Sequence, residues 1–126
     1  NETFWRVCSG AENDLPEHFA GVLQQALRER PEVLILNSDR EMLRALRLLG
    51  QWRLRVPEDI CLFSAESSPY ARDMIPSLSG LEYQPEALAG KIFARLMEEI
   101  ASGIGDYSVP DLIPARPVWG ESCPLR

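Results

Sequence analysis

The residues of this 126-residue chain best placed to do chemistry are two carboxylates, Asp39 and Glu66, each following an apolar run that reads as a strand. A carboxylate at a strand end accepts hydrogen bonds from hydroxyl groups, and because both oxygens can be engaged at once it suits vicinal diols. Tyr70 and Trp5 are aromatic rings that can stack on a ligand, although Trp5 reads more readily as core packing. Ser38 and Asp39 also read as a helix cap, and Glu66 as a solvated turn residue. Catalysis is not indicated. His18 is the only histidine and lies beside the apolar stripe of a helix, and no serine or cysteine has a G-x-S-x-G context. A phosphoacceptor aspartate would need an acidic pair and a nearby lysine, whereas Lys91, the only lysine, falls in a late helix. P-loop and dinucleotide glycine patterns are absent. Cys8, Cys61 and Cys123 are an odd, widely spaced set, so no disulfide framework, metal site or cofactor is expected, and free thiols fit a reducing cytoplasm.

These residues need a scaffold, and the composition permits one. Hydrophobic residues make up 45% of the chain and charged residues 25%, ordinary values for a soluble globular protein. Lys+Arg 13 against Asp+Glu 19 gives a net charge of -6, without the basic cluster that a DNA-contacting surface requires. No apolar run approaches the roughly 18 to 20 residues of a spanning helix, so no membrane partner is expected. The chain opens at Asn1 with no signal-peptide pattern and reads as a fragment of a longer protein.

The elements alternate. Thr3 to Cys8 reads as a strand, and Pro16 opens a helix in which Phe19, Val22, Leu23, Ala26 and Leu27 recur at helical spacing until Pro31. Val33 to Leu36 is continuously apolar, the pattern of a strand buried on both faces. Ser38 and Glu41 form a capping-box pair for a helix closing at Gly50. Its Met42, Ala45, Leu46 and Leu49 stripe can cover a sheet, while Leu43 and Leu48 extend apolar surface to a second side. Ile60 to Phe63 is the next buried-type strand, in βαβ rhythm. Leu78 to Tyr83 reads as a further strand, Pro85 to Ser102 as a helix stopped by Gly103, and Leu112-Ile113 and Pro117 to Trp119 as short or edge strands.

The stretch from Pro31 to Pro69, PEVLILNSDREMLRALRLLGQWRLRVPEDICLFSAESSP, resembles the block of LacI/GalR transcription regulators that runs through Ala-Asn-Asp and a helix to G-L-R-V-P-E-D-V-S-V-V-G-F-D-D. Ile75 to Ser79 resembles that family's P-P-L-T-T, Pro85 to Gly90 its P-E-E-L-G helix start, and Leu112 to Ser122 its L-P-P-x-L-V-x-R-E-S ending. Four positions depart from the pattern: Ser38 replaces Asn, Ser64 the turn Gly, Glu66 the first Asp of F-D-D, and Gly120 an Arg.

The resemblance implies an α/β fold: a three-layer sandwich with a mostly parallel sheet, like the C-terminal subdomain of a type I periplasmic-binding-protein-like fold. Residues 1–126 would then be a partial effector-binding and dimerisation domain lacking the DNA-binding headpiece and the N-terminal subdomain, with residues 78–102 able to belong to that missing half. Ser38 and Glu66 match positions where relatives hydrogen-bond a sugar or nucleobase, in a pocket at the C-terminal ends of the strands that also takes in Asp39, Tyr70 and Trp5. The helix from Met42 and the segment from Ser68 match a two-fold homodimer surface, to which Leu43, Arg44, Arg47, Leu48, Trp52 and Arg72 would contribute. The expected function is sensing of a small, sugar-like effector by a cytoplasmic regulator that meets DNA only through its headpiece. Two other readings compete: a fragment of an extracytoplasmic sugar-binding protein, distinguished by an upstream signal peptide, and a small α/β enzyme, which would need a complete substrate pocket within these residues.

Overall fold

The computed structural model describes residues 16–103 and 112–125 of the chain, so Trp5, Cys8 and the Thr3 to Cys8 strand expectation lie outside the described residues. Helix α1 (Pro16–Arg28) precedes strand β1 (Val33–Leu36), helix α2 (Asp39–Gln51) and strand β2 (Cys61–Ser67). A short 3-10 helix (Pro69–Asp73), strand β3 (Ser79–Glu82), helix α3 (Pro85–Ser102) and strand β4 (Arg116–Val118) follow. The sheet order is β1-β2-β3-β4, with β1, β2 and β3 parallel and β4 antiparallel along the edge. This is the mostly parallel α/β sheet expected from the sequence, and Pro117 sits on the edge strand, where a missing N–H is tolerated. No strand forms at Leu112-Ile113.

The core lies between the sheet and helices α1 and α2. Met42, Ala45 and Leu49 of α2 are fully buried, and with Leu23, Ile60, Leu62, Ala71 and Leu78 they form one apolar cluster. Leu34 and Leu36 of β1 pack against it. The expectation that β1 is buried on both faces is corrected: Val33 and Ile35, which alternate with them, are 42% and 58% exposed. A strand's side chains alternate between faces, and only one face of β1 meets the cluster. On the opposite face of the sheet, Phe63 and Trp119 meet with ring centroids 5.6 Å apart.

Two end signals also need correction. The N-terminus of α2 lacks the capping box, since the Ser38 side chain makes no cap hydrogen bond and Glu41 Oε2 accepts from Asn37 N (2.9 Å), one residue too early. At the other end Gly50 is inside the helix. Arg53 N donates to Gly50 O and Leu54 N to Leu49 O, a Schellman closure whose left-handed residue is Arg53 (φ 60°). Helix α3 spans Pro85–Ser102 as expected, closed by Gly103 at φ 67°. None of its residues is buried, and Ile92, Phe93 and Ile100 on its apolar side are 59%, 65% and 69% exposed.

The chain's C-terminal turn is clasped to the sheet by buried serines. Ser79 N donates to Ser122 Oγ (2.9 Å), which donates in turn to Leu62 O (2.8 Å). Ser79 Oγ accepts from Gly120 N (2.8 Å) and Cys123 N (3.1 Å). Buried hydroxyls are tolerated because they are satisfied, each such bond contributing about 1 kcal/mol net. The clasp holds Ser79, which begins β3, and Leu62, near the start of β2.

Candidate functional site

Parallel β1, β2 and β3 bring their C-terminal ends to one edge, and there the chain forms a cavity of about 780 Å³. The end of β1 contributes Ser38, Asp39 and Arg40, the first turn of α2 included. The end of β2 supplies Glu66, Ser67, Ser68 and Pro69. The end of β3 and the start of α3 supply Glu82, Tyr83, Gln84, Pro85, Glu86 and Ala87, and Arg116 enters from β4. Strand ends in open α/β sheets diverge into such crevices, and the helix N-termini beside them carry oriented N–H groups.

Asp39 ties two elements of the wall together. Its Oδ2 accepts from Ser68 N at 2.6 Å, tying the start of α2 to the end of β2. Its Oδ1 is buried and has no hydrogen-bond partner. A carboxylate oxygen in that state costs about 1–3 kcal/mol or more until a donor reaches it. Ser38, released from capping, lines the same cavity with its hydroxyl uncommitted to the helix.

Glu66 reaches the site through a distortion of β2. Ser64 is fully buried and its Oγ donates to Glu66 O at 2.6 Å, where the β2–β3 register shifts between Ser64 and Ser67. Such a shift re-aims side chains at a sheet end. Ser64 pairs with Gly80, and a Cβ at Gly80 would lie 2.8 Å from Ser64 O and 2.9 Å from Ser64 Cβ. The side chain at 64 therefore requires its absence at 80.

Glu82 is held from two sides, by Arg72 and Arg116, each 3.4 Å from a carboxylate oxygen. Tyr83 donates its hydroxyl to Ala65 O at 3.2 Å, and Gln84 Nε2 donates to Pro114 O at 2.9 Å. These three residues and Arg116 were not singled out from the sequence. A usable signal was present: a parallel β3 must end at the same edge as Asp39 and Glu66. Tyr70 is not brought to the wall; it sits on the 3-10 helix, 73% exposed. The structure thus joins Ser38, Asp39 and Glu66 in one cavity, without Tyr70.

The expected dimer surface is distributed differently from the α2 pattern. Leu43 is 43% exposed and Arg47 is exposed, whereas Leu48 and Trp52 are partly buried against the chain's own core. They flank the Met42, Ala45 and Leu49 stripe closely enough to join it. Arg44 is half-buried, and Arg72 is exposed and engaged with Glu82.

The L-R-V-P-E-D stretch lies outside the cavity wall, in the connection from α2 to β2. Arg55 forks onto Asp59, Nε to Oδ2 and Nη2 to Oδ1 at 3.1 Å each, while Arg55 N donates to Asp59 Oδ2 at 2.8 Å. The hydrogen bonds from the Arg55 side chain and backbone hold the Asp59 carboxyl below its ordinary range, and the same partnership raises Arg55. This motif fixes a turn, with Arg55 and Asp59 engaged with each other. Among the described residues no helix is long and apolar enough to cross a membrane.

Comparison with known proteins agrees with this geometry. Residues 5–123 match the periplasmic binding protein-like domain family. The HTH-type transcriptional repressor PurR of Pectobacterium carotovorum is 30% identical over 97 residues, which cover 74% of this chain and 28% of that protein. A LacI family transcriptional regulator from an Arthrobacter species, in complex with lactose, superposes with a TM-score of 0.71 at 20% identity, covering 86% of this chain and 41% of its own. A PurR family regulator from Vibrio parahaemolyticus gives 0.71 at 20% identity, covering 88% and 40%. The Escherichia coli repressor ascG gives 0.69 at 21% identity, covering 87% and 40%. This chain therefore spans well under half the length of the proteins it matches. The resemblance read from Pro31 to Pro69 holds: the chain belongs to the periplasmic binding protein-like domain family and has the fold found in the LacI-family transcription regulators.

Proposed function

We propose that this chain is the effector-sensing part of a bacterial transcription regulator, and that a small sugar-like molecule binds at the strand-end cavity. The observation that carries the reading is Asp39: one oxygen ties two elements together and the other is buried without a donor, in the wall of a cavity that also holds Glu66 and Ser38. Hydroxyl donors of a sugar would reach the exposed Glu66 directly, and would satisfy the Asp39 oxygen once its side chain turned toward the cavity. The lactose bound by one structural relative supports the same class of ligand. The role we propose is binding, in keeping with relatives that are transcription regulators, and His18 lies on α1, outside the cavity wall.

In the longer protein, a DNA-binding headpiece and a second lobe would complete the regulator, acting in the cytoplasm, and a ligand would act by binding one lobe arrangement better than another. A homodimer through α2 and the segment following β2 fits the exposed Leu43, Arg47 and Arg72. The test is a thermal-shift and calorimetric screen of sugars, sugar phosphates, nucleosides and sugar acids, with Asp39→Ala and Glu66→Ala as controls. A ligand whose effect disappears in both variants supports the sensor. No ligand in the set, or binding indifferent to both substitutions, overturns it. Leu43→Glu is the variant for the dimer, because Leu43 is outside the core whereas Leu48 packs on it. An unchanged mass by light scattering would remove that interface.

A further inference from the structure

Resting on the reading of the cavity as an effector site, two features refine what it takes. The first is Tyr83. The residue follows β3 directly, lines the cavity, is 54% exposed, and has its hydroxyl fastened to Ala65 O at 3.2 Å. That bond connects the tip of the ring to β2 immediately before Glu66. A ring fixed at its tip with an accessible body presents a flat apolar surface at little entropic cost.

The second feature is the charge arrangement. Asp39, Glu66, Glu82 and Glu86 face the cavity with Arg40 and Arg116. Arg116 is engaged by Glu82. The N-termini of α2 and α3 both open there and would favour an anion, but each carries a carboxylate in its first turn, Asp39 and Glu86. The positive poles are offset before any ligand arrives. A phosphate or acid group would then meet the exposed carboxylate of Glu66, with Asp39 behind it in the same wall.

We infer that Tyr83 is the stacking platform of the effector site, and that the site takes an uncharged, ring-bearing polyhydroxyl ligand and rejects its phosphorylated form. The ring lies on Tyr83 while its hydroxyls donate to Asp39 and Glu66. Neither Tyr83 nor the charge selectivity is implied by the residue pattern that resembles the family.

The experiment is titration calorimetry on the full chain with matched neutral and phosphorylated probes: glucose with glucose 6-phosphate, galactose with galactose 6-phosphate, and adenosine with adenosine monophosphate, plus lactose. The expected result is that a neutral probe binds at least about tenfold tighter than its phosphate, a difference of about 1.4 kcal/mol. Tyr83→Ala should weaken that probe at least about tenfold while lowering the ligand-free melting midpoint no more than Tyr83→Phe does, since both lose the Ala65 tie; Tyr83→Phe, which keeps the ring, should weaken the probe by about two- to fivefold. Wild-type affinity in Tyr83→Ala overturns the platform. Equal or tighter binding of the phosphate overturns the charge selectivity while leaving the effector site in place. Silence from every probe overturns the effector reading and this inference with it.

Discussion

Replacing Asp39 by alanine separates a structural aspartate from one held ready for a ligand. The substitution removes the Ser68 N–H to Oδ2 bond, a hydrogen bond to a charged acceptor worth about 1.5–3 kcal/mol. It also removes a carboxylate from the first turn of α2, worth about 0.3–1 kcal/mol. Against these losses, it relieves the buried, unpartnered Oδ1, whose cost is about 1–3 kcal/mol. The ligand-free protein should therefore lose only about 1 kcal/mol. The bound protein should lose much more: a ligand at one hundred times its Kd stabilises the wild type by about 2.7 kcal/mol, and the variant forfeits most of that increment. Urea denaturation with and without a neutral sugar identified by titration reads both quantities on one axis. A ligand-free loss above about 3 kcal/mol, with the ligand increment intact, would refute the reasoning and make Asp39 a tie between α2 and β2 only.

Three further outcomes follow from local geometry. A Cβ at Gly120 would sit 2.5 Å from Ser77 O, against backbone already held by the serine clasp, so Gly120→Arg, which restores the residue type of the family pattern, should destabilise by about 3 kcal/mol or more in thermal melts; a neutral result would remove the claim of close approach. Arg53→Gly places a residue without Cβ at φ 60° and should stabilise by about 0.5–1 kcal/mol in urea titration, while a loss would show that the Arg53 side chain matters more than its backbone strain. The lowered Asp59 carboxyl contributes stability that is present above the ordinary carboxylate value and is lost as pH falls through its folded value, whereas the raised Arg55 stays charged throughout the acid range. The urea midpoint of Asp59→Asn should accordingly lie below wild type at neutral pH and converge with it in acid; a gap independent of pH would count against the ion pair.

Much of the fold could be read in advance because apolar periodicity reports burial directly. Val33 to Leu36 forms β1 and Pro85 to Ser102 forms α3 at the expected bounds, since each is flanked by proline, glycine or a polar cap. Strand β2 runs past its apolar stretch, which ends at Phe63, as far as Ser67. Ser64 to Ser67 is polar and small, and it stays in the ladder because β1 pairs as far as Ser64, β3 continues to Ser67, and Ser64 finds Glu66 O inside the strand. The capping box failed for a related reason: the pattern of types was present, but Glu41 found the Asn37 N–H first. Of the cavity's lining, Asp39 and Glu66 are legible because βαβ connections put successive strand ends on one edge, and Ser38 through the family resemblance. Tyr83 is not, because an aromatic residue at a strand end reads as packing until the direction of that strand is known. Tyr70 is an equally eligible aromatic ring in the sequence, and only the structure places it outside the wall.

The cavity's walls are held with unequal firmness, and that bears on how a ligand would act. Opposite the cavity, the clasp of Ser79, Ser122 and Leu62 fixes β2 and β3 at their starts, so the spacing of their far ends follows from backbone and not from the site residues. Asp39 fixes α2 to the end of β2. The wall from Tyr83 to Ala87 is held by side-chain bonds of Tyr83 and Gln84 and continues into a helix with no buried residue. Lys91 Nζ, 3.4 Å from Leu112 O, is a further tie along that helix. A ligand bridging Asp39 and Tyr83 would therefore connect the firmest wall to the least buried one. The free energy it gains by drawing them together bounds any signal passed along α3, because a ligand shifts an equilibrium only by its differential affinity for the two states. Tyr83→Phe probes this link as well as affinity: it keeps the stacking surface but removes the Ala65 tie, so ligand-dependent protection of α3 from hydrogen exchange should fall further than binding does. Equal losses in both would place the tie in affinity alone.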